Sequence, residues 1–104
     1  MSEISFERRT MRKFKQLANS FWFDKIEHLS IRGIPDRFGV VNGTFVALEF
    51  KKDAKEIKQM KGRTVLQNHE LRKIRKAGGY AEFIYPGNFQ KIYDELKRLS
   101  NESR

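Results

Sequence analysis

The apolar positions of this chain recur with helical spacing in three segments. In residues 5–19 apolar side chains return every three or four positions and half of the other positions are basic, which is typical of an amphipathic helix with a cationic outer surface. Residues 65–77 and 89–99 show the same spacing. Gly78 and Gly79 follow the second segment and end that helix. The pattern therefore predicts three helices.

Strand patterns occupy the stretches between these helices. Residues 21–26 and 80–85 are rich in aromatic and β-branched side chains, which favours strands. Residues 27–35 contain Gly33 and Pro35 and are predicted to be irregular. The lysine-rich segment 51–63 has little apolar content, so we expect either a mobile basic loop or a short surface helix there.

The clearest local pattern is a β-hairpin. Residues 36–41 and 44–51 read as strands, and they flank the dipeptide Asn42-Gly43. Both residues tolerate positive φ, which makes this dipeptide the strongest short hairpin pattern. If they form a two-residue turn, Val41 pairs with Thr44 and the register of the hairpin is set.

The predicted order is helix, three strands, helix, strand, helix (αβββαβα). This order indicates an α/β domain in which helices flank a small mixed β-sheet. The last strand follows a helix that itself follows a strand, so we expect those two strands to be parallel through a right-handed crossover. A length of 104 residues suits a single domain that spans residues 1–104.

Charge and composition narrow the class of partner. The chain has 22 Lys and Arg residues against 13 Asp and Glu, a net charge of +9 that favours a polyanion, with nucleic acid as the first expectation. No apolar run approaches the roughly 20 residues that span a bilayer, and no signal peptide is visible, so we expect a cytoplasmic protein without a membrane partner. Because the chain has no cysteine, a catalytic metal needs oxygen ligands, which suits Mg²⁺ with Mn²⁺ as its substitute.

The hairpin register places chemically useful side chains together. Counting back from the turn sets Asp36 opposite Glu49, with Cβ atoms about 5 Å apart, where like charges repel. A divalent cation between them relieves that repulsion. Strand alternation sets Lys51 on the face of Glu49, where an ammonium can orient an attacking water and stabilise charge on a phosphate. These residues predict phosphodiester hydrolysis, and the alternative is an ordinary solvated hairpin with surface charges.

These segments together resemble the PD-(D/E)XK nuclease superfamily, specifically its small VRR-NUC type and the related Holliday-junction resolvases. The resemblance covers nearly the whole chain and implies a restriction-endonuclease-like core. The Pro-Asp and Glu-X-Lys pieces are weak individually, and their combination with the hairpin and the later glutamine is more specific. The matching segments are Gly33-Ile34-Pro35-Asp36, Glu49-Phe50-Lys51 and Gln67 in a helix that ends at Ala77-Gly78-Gly79.

The resemblance also implies roles for individual residues. Asp36 and Glu49 would bind the catalytic metal together with the backbone carbonyl of Phe50. Lys51 would serve the attacking water, and Gln67 would complete the site. An acidic residue of the first helix contributes to the metal in some members of this family, and the candidate here is Glu7, whose alternative role is a favourable charge near a helix N-terminus.

Basic residues around this site are expected to contact the phosphate backbone, which positions DNA without reading its sequence. For about half of them the alternative is a solvated side chain that supplies solubility only. The candidates are Arg8, Arg9, Arg12, Arg37, Lys52, Lys55, Arg63, Arg72 and Lys76.

Aromatic and histidine residues have simpler predicted roles. The run Phe21, Trp22 and Phe23 suits stacking on unpaired bases, but we expect at least two of the three in the core. His28 and His69 have no matching nucleophile or second ligand in the sequence and are predicted to be structural or surface residues.

The expected function is that of a Mg²⁺-dependent, structure-selective DNA endonuclease from a bacterial or phage-infected cell. Branched DNA such as a four-way junction is the expected substrate, and the two-fold symmetry of such a junction calls for a homodimer. Two alternatives stay open. The first alternative is a nuclease for flaps, nicks or duplex ends that uses the same residues. The second is a basic DNA-binding module without catalysis.

Overall fold

The structure of the chain is a computed structural model that describes residues 3–24 and 35–103. These residues form an α/β domain with four helices and four strands. The elements in chain order are α1 (Glu3–Phe14), β1 (Ser20–Trp22), β2 (Arg37–Val41), β3 (Thr44–Phe50), α2 (Ala54–Gln59), α3 (Arg63–Lys76), β4 (Tyr80–Ile84) and α4 (Phe89–Ser100).

The four strands form one mixed sheet in the order β1-β2-β3-β4. The pairs β1–β2 and β2–β3 are antiparallel, whereas β3 and β4 are parallel, as the crossover through a helix predicted. The hairpin register is confirmed from the Val41–Thr44 pair at the turn to the Arg37–Leu48 pair. Its turn residues, Asn42 and Gly43, have φ of 47° and 87°, the positive values that this dipeptide tolerates.

The order differs from the prediction by one additional helix. The lysine-rich segment contains α2, so the surface-helix alternative was the correct one and none of its residues is buried. Asp53 caps this helix, because its side chain accepts a 3.0 Å hydrogen bond from the Glu56 N–H.

The first helix is shorter than predicted. It ends at Phe14, and the chain turns through residues 15–19 before it enters β1. Leu17 remains buried within this turn, which explains why the apolar spacing continued beyond the end of the helix. Of the strand predicted over residues 21–26, the described part forms β1 over Ser20–Trp22 and leaves residues 23–24 outside it. Residues 25–34, with Gly33, Ile34 and His28 among them, lie outside the described residues, and so does most of the segment predicted to be irregular.

The two faces of the sheet pack against different helices. Val46, Leu48 and Phe50 of β3 pack against side chains of α1 and α4, and the buried ring of Phe14 lies in this cluster. On the opposite face, Ala47 of β3 packs with side chains of α3. This division follows strand alternation, since successive side chains point to opposite faces.

The prediction that at least two residues of the aromatic run lie in the core was wrong, because one of the three does. Trp22 is buried and its indole N–H donates to the Phe14 carbonyl at 3.2 Å, whereas Phe21 and Phe23 are exposed. The reason is the position of β1 at the sheet edge: alternation turns Trp22 toward α1, and no described helix covers the other face of β1. His69 is exposed, as predicted. Among the described helices, none has the length and apolar character needed to cross a membrane.

Candidate active site

Asp36 lies immediately before β2, one step beyond the Arg37–Leu48 pair, which sets it opposite Glu49 of β3. A carboxylate oxygen of Asp36, Oδ2, accepts a 3.0 Å hydrogen bond from the Phe50 N–H. This bond holds the Asp36 side chain at the end of β3, where the hairpin register predicted it.

Glu49 is the most deeply buried carboxyl group described, with 1% of its surface exposed. Its Oε1 accepts a 2.6 Å hydrogen bond from Nε2 of Gln67, a residue of α3. Its Oε2 is buried without a hydrogen-bond partner in the described part of the chain, and so is Oε1 of Gln67. Two buried acceptor oxygens therefore remain unsatisfied at this point, which is costly unless another group supplies a proton or a cation.

The environment of Glu49 opposes its negative charge. Burial raises the pKa of Glu49 to about 9, and the nearby Asp36 carboxylate contributes in the same direction, while Lys51 lowers it. At neutral pH this side chain therefore carries a proton unless a cation compensates its charge.

The donor set fits a hard divalent cation. The Phe50 N–H points toward Asp36, and in a strand the carbonyl of the same residue points to the same side. The next N–H, of Lys51, donates to the Ile84 carbonyl of β4 at 2.9 Å, on the other side. Asp36, Glu49 and the Phe50 carbonyl thus converge, and the unpartnered Oε2 of Glu49 is the atom that a cation would satisfy.

The described chain offers few candidate ligands for a metal ion at this site. In residues 3–24 and 35–103 there is no group of three or more His, Cys, Asp or Glu side chains arranged to hold a metal. Two carboxylates and one carbonyl leave positions for water and for substrate oxygens, which is how Mg²⁺ is commonly held.

Lys51 reaches the same side of the sheet and is nearly buried, with 5% of its surface exposed. Its Nζ donates to Oγ1 of Thr64 at 3.2 Å, lies 3.5 Å from a carboxylate oxygen of Glu56, and sits 5.8 Å from the centre of the Phe83 ring. These neighbours keep the ammonium close to the carboxylate pair, as its effect on the pKa of Glu49 also indicates.

Thr64 and Glu56 were not predicted as site residues from the sequence. Thr64 precedes Gln67 by three residues and Leu71 by seven, so all three share one buried face of α3, and that spacing was available in the sequence. Glu56 stands three residues after the capping Asp53, as in a capping box, and its Oε2 accepts from the Lys52 N–H at 3.2 Å. The contact of Glu56 with Lys51 joins α2 to the end of β3, and no pattern in the sequence predicts it.

Glu7 and Arg37 are joined by an ion pair, with 2.7 Å between Oε2 and Nε. Pairing with Leu48 places Arg37 on the α1 face of the sheet, opposite to the face of Glu49. Glu7 was a candidate metal ligand and Arg37 a candidate DNA contact, and in the structure each engages the other while both are largely buried.

The remaining candidate DNA contacts are all exposed, but they divide between two faces of the sheet. One group lies on α1, and the other lies on α3 and the segment that precedes it. Only the second group is on the Glu49 side. The α1 group is Arg8, Arg9 and Arg12, and the other group is Lys52, Lys55, Arg63, Arg72 and Lys76.

Comparisons of this chain with protein-family models, with curated proteins and with solved structures give no match.

Proposed function

We propose that the chain is a Mg²⁺-dependent endodeoxyribonuclease with a restriction-endonuclease-like core of the PD-(D/E)XK kind. The observation that carries this proposal is the buried Glu49, whose Oε2 has no partner in the described chain while Asp36 stands opposite it. A buried carboxylate opposite a second, half-buried one is unfavourable unless a cation or a proton compensates its charge. Nothing in a protein that only binds DNA calls for this arrangement.

The proposed metal ligands are Asp36, Glu49 and the Phe50 carbonyl. Bound there, Mg²⁺, or Mn²⁺ in its place, would supply Lewis acidity toward the phosphate and lower the pKa of a bound water. Glu7 is omitted from this ligand set because Arg37 already engages its carboxylate.

The protein side chains perform the positioning. Gln67 fixes one oxygen of Glu49 and leaves its own Oε1 free to accept a hydrogen bond from a water molecule. Thr64 and Glu56 hold the ammonium of Lys51, which orients the attacking water and stabilises negative charge on the phosphate oxygens.

Branched DNA such as a four-way junction is the proposed substrate. The net charge of +9 and the exposed basic residues on the Glu49 side support a polyanionic partner. A four-way junction is two-fold symmetric, so paired cuts would require a homodimer with the same surface on both subunits.

The test is cleavage of labelled four-way junction, flap and linear duplex DNA, each with Mg²⁺ or with EDTA. The proposed chemistry is removed by two site variants, Asp36→Asn and Lys51→Ala. The matched controls are on the exposed side of α4 and carry the same changes: Asp94→Asn and Lys91→Ala. Paired cuts in the junction that require Mg²⁺ and fail only in the two site variants would support the proposal. Equal cutting of all three DNAs would contradict the proposed preference for branched DNA. Metal-independent binding without cutting would overturn the proposal that the chain is a nuclease.

A further inference from the structure

One face of β1, β2 and β3 carries an exposed aromatic surface. Phe21, Phe23 and Phe45 are 60%, 48% and 40% exposed, although large apolar side chains are usually buried. The Phe21 and Phe23 rings meet edge to face at 5.1 Å, and Phe38 lies 5.7 Å from Phe45. The aromatic surface consists of these four phenylalanines and Val40.

Cross-strand pairing arranges this surface in rows. Phe21 pairs with Val40, which pairs with Phe45, and these three side chains form the first row. The Phe23 N–H donates to the Phe38 carbonyl at 3.0 Å, and Phe38 pairs with Ala47 in the second row.

The next row along β2 and β3 contains Asp36 and Glu49. Side chains two residues apart on a strand share a face and lie about 7 Å from one another. The second aromatic row therefore borders the carboxylate pair, and Phe45 of the first row lies about 13 Å from Glu49 along β3.

We propose that the aromatic surface binds unpaired nucleobases of the DNA strand that enters the carboxylate site. This inference rests on the proposed function and specifies its substrate: a strand whose bases are unstacked beside the phosphate to be cut. Aromatic rings stack on any base without sequence preference, which suits an enzyme that selects DNA by structure.

The area of the aromatic surface suits nucleobases better than it suits a second copy of the chain. The three exposed rings present about 300 Å², since an aromatic side chain carries roughly 200 Å². A stable protein interface needs about 800 Å² from each partner.

Charge favours the same occupant. The chain carries a net charge of +9, which attracts the phosphates that accompany unpaired bases. The binding of bases by stacking and of phosphates by cations is the general mode for single-stranded nucleic acid.

The test measures binding of a labelled oligothymidylate in EDTA, so that it does not depend on cleavage. An abasic strand of equal length has the same phosphates without bases. We expect the wild type to prefer oligothymidylate by about tenfold or more, and we expect the double variant Phe21→Ala, Phe23→Ala to lose that preference. Its salt dependence should stay unchanged, because the phosphate contacts remain.

Further variants distinguish stacking from simple apolar contact. Phe21→Tyr with Phe23→Tyr keeps both rings and should retain binding, while Phe21→Leu with Phe23→Leu keeps apolar area and should lose it. Val65→Ala removes an apolar side chain that is 50% exposed on α3 and should bind like the wild type. Thermal unfolding checks that each variant is folded.

Equal affinity of the wild type for both strands, or full binding by the leucine variant, would overturn the proposal. A dimer in sedimentation that dissociates only in the alanine variant would also overturn it, since a second copy would then occupy the surface. A nuclease assay that fails while these binding results hold would reject the proposed function and leave the base-binding surface standing.

Discussion

Gln67 of α3 and Glu49 of β3 are joined between helix and sheet by a 2.6 Å hydrogen bond from Nε2 to Oε1. Both side chains are buried, and each leaves one oxygen without a partner in the described chain. The amide thus orients the carboxyl group by one oxygen and leaves the other oxygen directed at the place where a cation would bind. The packing of α3 against β3 therefore fixes the orientation of Glu49 without a bound ligand.

Gln67→Ala should weaken Mn²⁺ binding by about 10- to 100-fold, the usual effect of removing a group that orients a metal ligand. The loss arises because Glu49 then has neither a fixed rotamer nor a donor that stabilises its charged form. Calorimetric titration with Mn²⁺ measures the effect. Asn68→Ala, at the next position of α3, is the control and should bind Mn²⁺ like the wild type. Unchanged binding by Gln67→Ala would show that the amide does not position Glu49.

Glu49 should make the metal-free protein less stable as pH rises. Its pKa is raised in the folded state from 4.5 to about 9, so between these values the folded chain holds a proton that the unfolded chain has released. The free energy of unfolding therefore falls with increasing pH in this window, by up to about 1.4 kcal/mol per pH unit.

Urea denaturation in EDTA across that window measures this slope. Glu49→Gln cannot titrate, so its stability should fall less steeply with pH, and it should exceed the stability of the wild type near the upper end. Glu102→Gln changes an exposed carboxylate near the C-terminus and is the matched control. If Glu49→Gln and the wild type show parallel curves, then Glu49 is ionised in the folded protein.

Local sequence rules predicted the part of the site that lies on one hairpin. The turn at Asn42-Gly43 sets the register, and alternation then places Asp36, Glu49 and Lys51 together without any knowledge of the tertiary structure. Gln67 was implied by the family resemblance, and helical spacing was consistent with it because Gln67 shares a face of α3 with the apolar residues that meet the sheet.

Contacts between distant elements could not be predicted in this way. The ion pair of Glu7 with Arg37 depends on how α1 crosses the sheet, which no local pattern specifies. The exposure of Phe21 depends on β1 lying at a sheet edge, and three aromatic residues in succession read equally well as a buried strand. Both are outcomes of topology, whereas propensity and spacing report only on neighbours in the chain.

Thr64→Val should lower the rate of the proposed cleavage without weakening DNA binding. Valine matches threonine in shape but cannot accept the 3.2 Å hydrogen bond from Lys51, so the ammonium loses a buried partner that fixes its position. We expect kcat to fall about tenfold, which corresponds to about 1.4 kcal/mol, with KM nearly unchanged.

Steady-state cleavage of branched DNA in Mg²⁺ measures both constants. Thr64→Ser keeps the hydroxyl and should retain most of the activity, and Val65→Ala, at the adjacent position, is a control for the start of α3. A fall in kcat that serine does not rescue would indicate that Thr64 acts by packing, and not through Lys51.

The ion pair of Glu7 with Arg37 should matter for stability and not for the metal. Both side chains are largely buried, with 10% of the Glu7 side chain and 14% of the Arg37 side chain exposed, so Glu7→Gln or Arg37→Met alone breaks a buried ion pair and changes the charge on one side of it. Each single change should lower the free energy of unfolding by about 3 kcal/mol, and the double variant should recover part of that loss.

Denaturant unfolding of the two single variants and the double variant gives the coupling energy, and calorimetry with Mn²⁺ gives the metal affinity of the double variant. If the role of Glu7 is to form the ion pair, the double variant binds Mn²⁺ as tightly as the wild type. If Glu7 is a metal ligand, that affinity falls by an amount that removing Arg37 cannot restore, because a carboxylate oxygen has been lost from the coordination sphere. The double variant therefore separates a structural acid from a catalytic one, which the single variants cannot do, since they change folding and charge together.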